Sequence, residues 1–155
     1  MNDISAIIGP DAVEAGLQVP NKKALFHQLS SAGERVSRLP ARDILACLSE
    51  REKIGSTGFG GGVAIPHGRI AGIEHSVGFF ARLSNPIDYQ AVDGLPVDLV
   101  FLLLSPPDAG AEHLKALAGV SRALRDRTAL AKLRGAGSKD ALYALLTGVE
   151  TLNAA

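Results

Sequence analysis

The chain has 155 residues, 46% hydrophobic and 21% charged, which is enough apolar material for one folded core and too much for a disordered chain. Lys+Arg and Asp+Glu balance at 16 each, which removes the electrostatic case for nucleic acid or an anionic membrane surface as partner. The sole cysteine, Cys47, excludes an internal disulfide, no signal-peptide pattern opens the chain, and the longest apolar run (99–104) is too short to cross a bilayer, so a single cytoplasmic domain over 1–155 is expected.

Residues 1–20 carry apolar patches (Ile4, Ile7, Ile8, then Leu17 and Val19) bounded by Pro10 and Pro20, which predicts a short helix and an edge strand. Asn21 is a good N-cap for a helix to about Arg38, whose Leu25, Leu29, Ala32 and Val36 share one face. Pro40 opens a second helix, where a missing N–H costs nothing. Asp43 sits in its first turn, Ile44, Leu45 and Leu48 form its buried side, and it is expected to end near Arg51, before Gly55. A glycine run then feeds a short strand at 63–65 that stops at Pro66. Residues 76–83 alternate, with Val77, Phe79, Ala81 and Leu83 on one face of a strand. Asn85-Pro86 predicts a turn, 87–90 a short strand, and Asp93-Gly94 a second turn. Residues 97–104 are apolar except Asp98 and read as a central strand buried on both faces, stopped by Pro106-Pro107. Asp108 is the expected cap of a helix through about Asp126. A short helix follows at 128–134, broken by Gly135 and Gly137, and Ser138 caps a last one bearing Leu142, Leu145 and Leu146. Helices, then strands, then helices favour a mixed sheet covered on both faces.

Several chemistries find no support. There is no GxxxxGK[ST], and in the GxGxxG begun by Gly58 and Gly60 the third glycine position is Val63. There is no HExxH and no CxxC, and His27, His67, His75 and His113 lack metal-ligand spacing, so neither metal nor cofactor is expected. His67 remains, placed after a proline and before Gly68 with little bulk around it. A neutral imidazole is a good nucleophile near neutral pH. Phosphoryl transfer asks a protein chiefly to position groups and to meet charge on three oxygens. Arg51 supplies a permanent planar cation, Ser56 and Thr57 offer hydroxyls, and the glycine loop that includes Gly58 offers backbone N–H groups. His113 falls in the first turn of the helix expected after Asp108, whose positive end favours an anion and a neutral imidazole.

The run from Arg51-Glu52-Lys53-Ile54-Gly55-Ser56-Thr57-Gly58-Phe59-Gly60 through Gly62-Val63-Ala64-Ile65-Pro66-His67-Gly68 resembles the active-site signature of enzyme IIA proteins of the fructose/mannitol type. These are components of the bacterial phosphoenolpyruvate-dependent phosphotransferase system, and the wording is nearest their nitrogen-regulatory, PtsN-like branch. Gln90-Ala91-Val92-Asp93-Gly94, Pro96-Val97-Asp98-Leu99 and the stretch from Pro107 through His113-Leu114 to Arg122 extend the resemblance over roughly residues 4–146. It implies an α/β fold, a three-layer α/β/α sandwich with a mixed central sheet of about four to five strands. It further implies that His67 accepts phosphate on Nε2 from a phosphorylated HPr-like carrier (NPr), with Arg51 and His113 beside the phosphoryl group and Ser56, Thr57 and Gly58 in support. Gly61 departs from the asparagine of many relatives, which is expected to remove a side chain near the nucleophile and loosen the loop.

Each residue also has a plainer reading. Arg51 suits a helix C-terminus as an ordinary cation, His113 a helix surface, and Ser56 and Thr57 bonds within the loop. Cys47 reads as a small core residue, and His27 and His75 as surface. Phe59 is either a carrier contact or an anchor of the loop. Two roles compete within the family. One is a regulator whose phosphorylation state selects protein partners, which is preferred because no IIB, HPr or membrane segment is fused to the chain. The other is a transport component passing phosphate to a IIB domain. Outside these stand a binding module with a vestigial His67 and, remotely, a hydrolase using His67 as base.

Overall fold

A computed structural model describes residues 3–148. The strands are β1 (Val13–Leu17), β2 (Gly58–Gly60), β3 (Val63–Ala64), β4 (His67–Arg69), β5 (Val77–Ile87) and β6 (Val97–Ser105). The helices are α1 (Lys22–Ser37), α2 (Ala41–Ile54), α3 (Gly110–Ala123), α4 (Arg127–Gly135) and α5 (Lys139–Thr147), and a 3-10 turn at Asp3–Ala6 precedes β1. β6 is buried along nearly its whole length and is the spine of a mixed sheet ordered β1-β5-β6-β3-β2. Its antiparallel neighbour is β5. Along its other edge β3 and β4 run parallel to it end to end, Val63 opposite Leu99 and His67 opposite Leu103. The expected central strand and the edge position of β1 are both present, and six strands fill five positions across the sheet.

Helices cover both faces because β6 is apolar on both. Adjacent strand residues point to opposite sides. Leu102 and Ile44 crowd Gly33 on α1, while Phe101 and Ile8 crowd Gly78 on the other face. There Arg82 of β5 donates to the Leu133 and Ala136 carbonyls at the end of α4, 2.9 and 2.6 Å away, where a helix welcomes a cation. The result is the α/β/α sandwich the sequence predicts.

Local chemistry explains the agreements. The Asn21 side chain accepts from Ala24 N at 2.8 Å at the head of α1, and the Ser138 side chain accepts from Ala141 N at the head of α5. It also explains three corrections. Residues 85–86 do not turn. β5 continues to Ile87 through an irregularity in its pairing with β6 between Arg82 and Ile87, beyond the end of its pairing with β1, so Pro86 is asked for no ladder hydrogen bond. Asp108 does not cap α3: Ala109 is the N-cap residue, and the helix stops at Ala123. Asp126 instead heads α4, accepting from Thr128 N and Ala129 N. Finally, residues 88–90 form no strand, Ile87 being the last residue of β5; α2 ends at Ile54, before Gly55 as expected, with Arg51 in its last turn.

Candidate functional site

The site forms at the carboxyl end of the central strand β6, where β4 starts beside it, the usual place for ligands in such sheets. Its first component is an interruption. Pro66 has no N–H for the ladder, so the residues paired with β6 skip from Ala64 to His67, while the Pro66 carbonyl still accepts from Leu103 N at 3.0 Å and keeps the register. His67 therefore opens β4 rather than following a finished strand. A residue before proline is held extended, and the Ile65 carbonyl lies 2.7 Å from Nδ1 of the His67 ring. A carbonyl oxygen only accepts, so Nδ1 carries the proton and Nε2 of the neutral ring keeps its lone pair.

His113, in the first turn of α3, is buried, and its ring lies with its centroid 5.6 Å from that of His67 and tilted by 41°. Its Nδ1 is 2.7 Å from Ser105 Oγ, which is 2.9 Å from Ser76 Oγ; both serines are buried. The last residue of β6 and the first turn of α3 thus fix the second ring beside the first. Arg51 is half-buried and donates from Nη1 to the Gly55 carbonyl at 2.9 Å, tying the end of α2 to the start of the loop. Both imidazoles bind a proton less readily than usual. For His67, burial is the main cause and the Arg51 charge adds to it, against the opposing Ile65 carbonyl and Glu52. For His113, burial leads, followed by His67 and Arg69. Both are therefore neutral at pH 7.

Of the residues expected to support phosphate, Thr57 and Gly58 have their donors engaged within the protein, whereas the Ser56 hydroxyl accepts there. Ser56 Oγ accepts from Gly58 N at 3.1 Å. Thr57 is buried, its hydroxyl bonded to the Glu52 carboxylate and 2.7 Å from the Tyr89 hydroxyl, and its N–H donates to Glu52 Oε1 at 3.1 Å. A Cβ at Gly58 would come within 2.9 Å of both Ala91 and Tyr89, so that glycine serves close packing. Ser56, Thr57 and Gly58 build the loop.

The rest of the glycine run lies elsewhere. Gly60, Gly61 and Gly62, all at positive φ, make the tip of a β2–β3 hairpin. Val63 precedes His67 by four residues of extended chain, about 13 Å, and the tip is farther still. Gly61 is thus neither near the nucleophile nor loose. Its N–H donates to Asp93 Oδ2 at 3.0 Å, and its carbonyl accepts from Arg134 Nη2 at 2.7 Å, an arginine also paired twice with Asp98. Phe59 packs half-buried against the core with the Arg125 guanidinium 5.1 Å from its ring, the anchoring alternative. Cys47 is only partly buried, and its thiol donates to the Arg69 carbonyl at 3.4 Å. His27 and His75 are exposed.

Sequence reasoning missed Glu52, Lys22, Tyr89, Ser105 and Ser76. The one available signal was that Glu52 adjoins Arg51 inside the motif; the other four reach the site only through the fold. Among the described residues no three His, Cys, Asp or Glu side chains are grouped to hold a metal ion, and no helix is long and apolar enough to cross a membrane.

The sequence profile described as "Phosphoenolpyruvate-dependent sugar phosphotransferase system, EIIA 2" matches residues 6–149. The chain is 44% identical to the nitrogen regulatory protein of Bradyrhizobium diazoefficiens, over 92% of this chain and 94% of that one. It is 35% identical to the nitrogen regulatory protein of Escherichia coli K12, over 95% and 91%. Among solved structures, the nitrogen regulatory protein IIA-Ntr of Neisseria meningitidis superposes with a TM-score of 0.87 at 38% identity, covering 92% of this chain and 98% of that one.

Proposed function

The chain belongs to the EIIA 2 family of the phosphoenolpyruvate-dependent sugar phosphotransferase system, and on that premise we propose that it is a cytoplasmic phosphoryl carrier acting as one domain over 1–155. His67 accepts a phosphoryl group from the phosphohistidine of an HPr-like carrier (NPr). The resulting phosphorylation state then selects regulatory protein partners. The observation that carries this reading is the His67 ring itself: half-buried but reachable, proton on Nδ1, lone pair on Nε2. In the transfer the N–P bond of the donor histidine breaks as the bond from phosphorus to His67 Nε2 forms. The electron pair of the broken bond returns to the donor ring, and the proton of His67 stays on Nδ1, donated to the Ile65 carbonyl. Arg51 meets the negative charge of the transferring group and His113 flanks it, while Ser56, Thr57 and Gly58 hold the loop around them. A donor that is itself a phosphoramidate, met by a guanidinium, needs no metal. Ile54 and Leu114, next in sequence to the loop and to His113, are 82% and 61% exposed, which suits contact with another protein.

Regulation is favoured over sugar transport because both relatives above are named nitrogen regulatory proteins. The addition of about two negative charges at His67 is expected to repel acidic partner surfaces and attract basic ones. The test is incubation with a phosphorylated HPr-like carrier, then peptide mapping. Label on the peptide bearing His67, insensitivity to EDTA and its loss in His67→Ala are expected. Retained labelling in His67→Ala would overturn the site. Efficient phosphorylation of a sugar through an added IIB protein would turn the assignment to transport, and a partner that binds both forms equally would overturn selection by charge.

A further inference from the structure

Beneath the loop one carboxylate gathers several donors. Glu52 accepts from Lys22 Nζ at 2.8 Å, from Thr57 N at 3.1 Å, from the Thr57 hydroxyl and from the Tyr89 hydroxyl at 3.4 Å. It is well shielded, its side chain 10% exposed, and Lys22 also sits 4.2 Å from the Tyr89 ring centroid. Burial first, then Glu52, push the Tyr89 phenol far above its ordinary pKa, so it stays a donor. A shielded carboxylate with this many partners is well satisfied.

The connection leads on to the nucleophile. The Thr57 carbonyl accepts from Ile65 N at 3.0 Å, and the Ile65 carbonyl accepts from His67 Nδ1 at 2.7 Å. Glu52 therefore fixes both ends of Thr57's N–H and hydroxyl, Thr57 fixes Ile65, and Ile65 fixes the imidazole. We propose that Glu52, held by Lys22, is the positioning residue of His67: through Thr57 and Ile65 it aims the Ile65 carbonyl at Nδ1 and so keeps Nε2 as the attacking atom. This rests on the reading of His67 as phosphoryl acceptor. The charged and titratable groups facing His67 are Arg51 and Glu52 from α2 and His113 from α3, with Arg69 on its own strand and close to His113. Of these Glu52 is the sole anion among the described residues, and it opposes the lowering of His67's proton affinity by Arg51.

Glu52→Gln keeps the shape and removes the charge, and its amide turns a donor toward Lys22 or toward Thr57. Nitrogen-15 NMR of the imidazole reads the tautomer and the titration of His67 without any phosphoryl donor. In Glu52→Gln the Nδ1–H form is expected to lose population, the His67 titration to move to lower pH, and the rate of phosphoryl acceptance to fall on the order of tenfold, the effect of one charged hydrogen bond. Lys22→Met with Glu52→Gln removes both charges together, relieves the donor clash and guards against simple misfolding; it is expected to fold and to keep the altered His67 titration. An unmoved tautomer, titration and rate in Glu52→Gln would overturn the proposal. So would a double variant in which all three return to wild type, since Glu52 would then serve only to neutralise Lys22. A wild-type chain that takes no phosphate overturns the acceptor reading instead, while the NMR comparison still decides whether Glu52 positions the ring.

Discussion

The Ile65 carbonyl leaves His67 one ring nitrogen for chemistry, and burial keeps that nitrogen free of a proton through neutrality. Phosphoryl acceptance is therefore expected to be flat around neutral pH and to fall on acidification with a midpoint below the ordinary histidine value of 6.5. A pH series of initial rates checks this, and a midpoint above that value would contradict it. Beside His67, Gly68 has little room: a Cβ there would lie 2.3 Å from Cys47 Sγ. Gly68→Ala is expected to cost about 1–3 kcal/mol by overpacking. Adding Cys47→Ala, which leaves the backbone oxygen at 3.8 Å and the Cβ at 3.9 Å, both ordinary contacts, is expected to recover most of it. Denaturant melts of the two single variants and the double measure the coupling, and strictly additive losses would show that the thiol is not what the methyl group meets.

Among elements, caps and clamps decide where the site's supports begin and end. Asn21 starts α1 directly before Lys22, so the cap also sets the approach of that lysine to Glu52. Asn21→Ala is expected to lower stability by about 1 kcal/mol and the melting temperature by about 3 °C, as calorimetry would show. The β2–β3 hairpin is a separate matter. Arg134 of α4 and Asp93 hold its tip at the far end of the strand path from His67. Arg134→Ala is expected to speed amide exchange at the hairpin tip and to leave the phosphoryl-acceptance rate unchanged. A matching loss of rate would mean that the tip reaches the nucleophile after all.

Over the whole molecule, the two depressed imidazoles link folding to pH. With folded pKa values below 6.5, the unfolded chain binds more protons between those values and 6.5, so their contribution to stability falls as pH drops through that window and levels off below it. Urea midpoints are expected to fall from about pH 7 to about pH 5, and less steeply in a variant carrying His67→Gln and His113→Gln. The sequence by itself determined the helices whose caps and apolar faces lie within one turn, the doubly buried β6, the layer order, and the motif that singles out His67, because each of these is written in neighbouring residues. Pairing to β1 and β6 carried β5 past Asn85-Pro86, and the pairing of β3 with β6 took the glycine tip away from the nucleophile. Only the tertiary structure brought Lys22, Glu52, Thr57 and Tyr89 together under the loop and set Ser105 and Ser76 behind His113. These residues come from distant stretches of chain, and a hydrogen bond between such side chains leaves no periodicity or spacing to read until the strands and helices have packed.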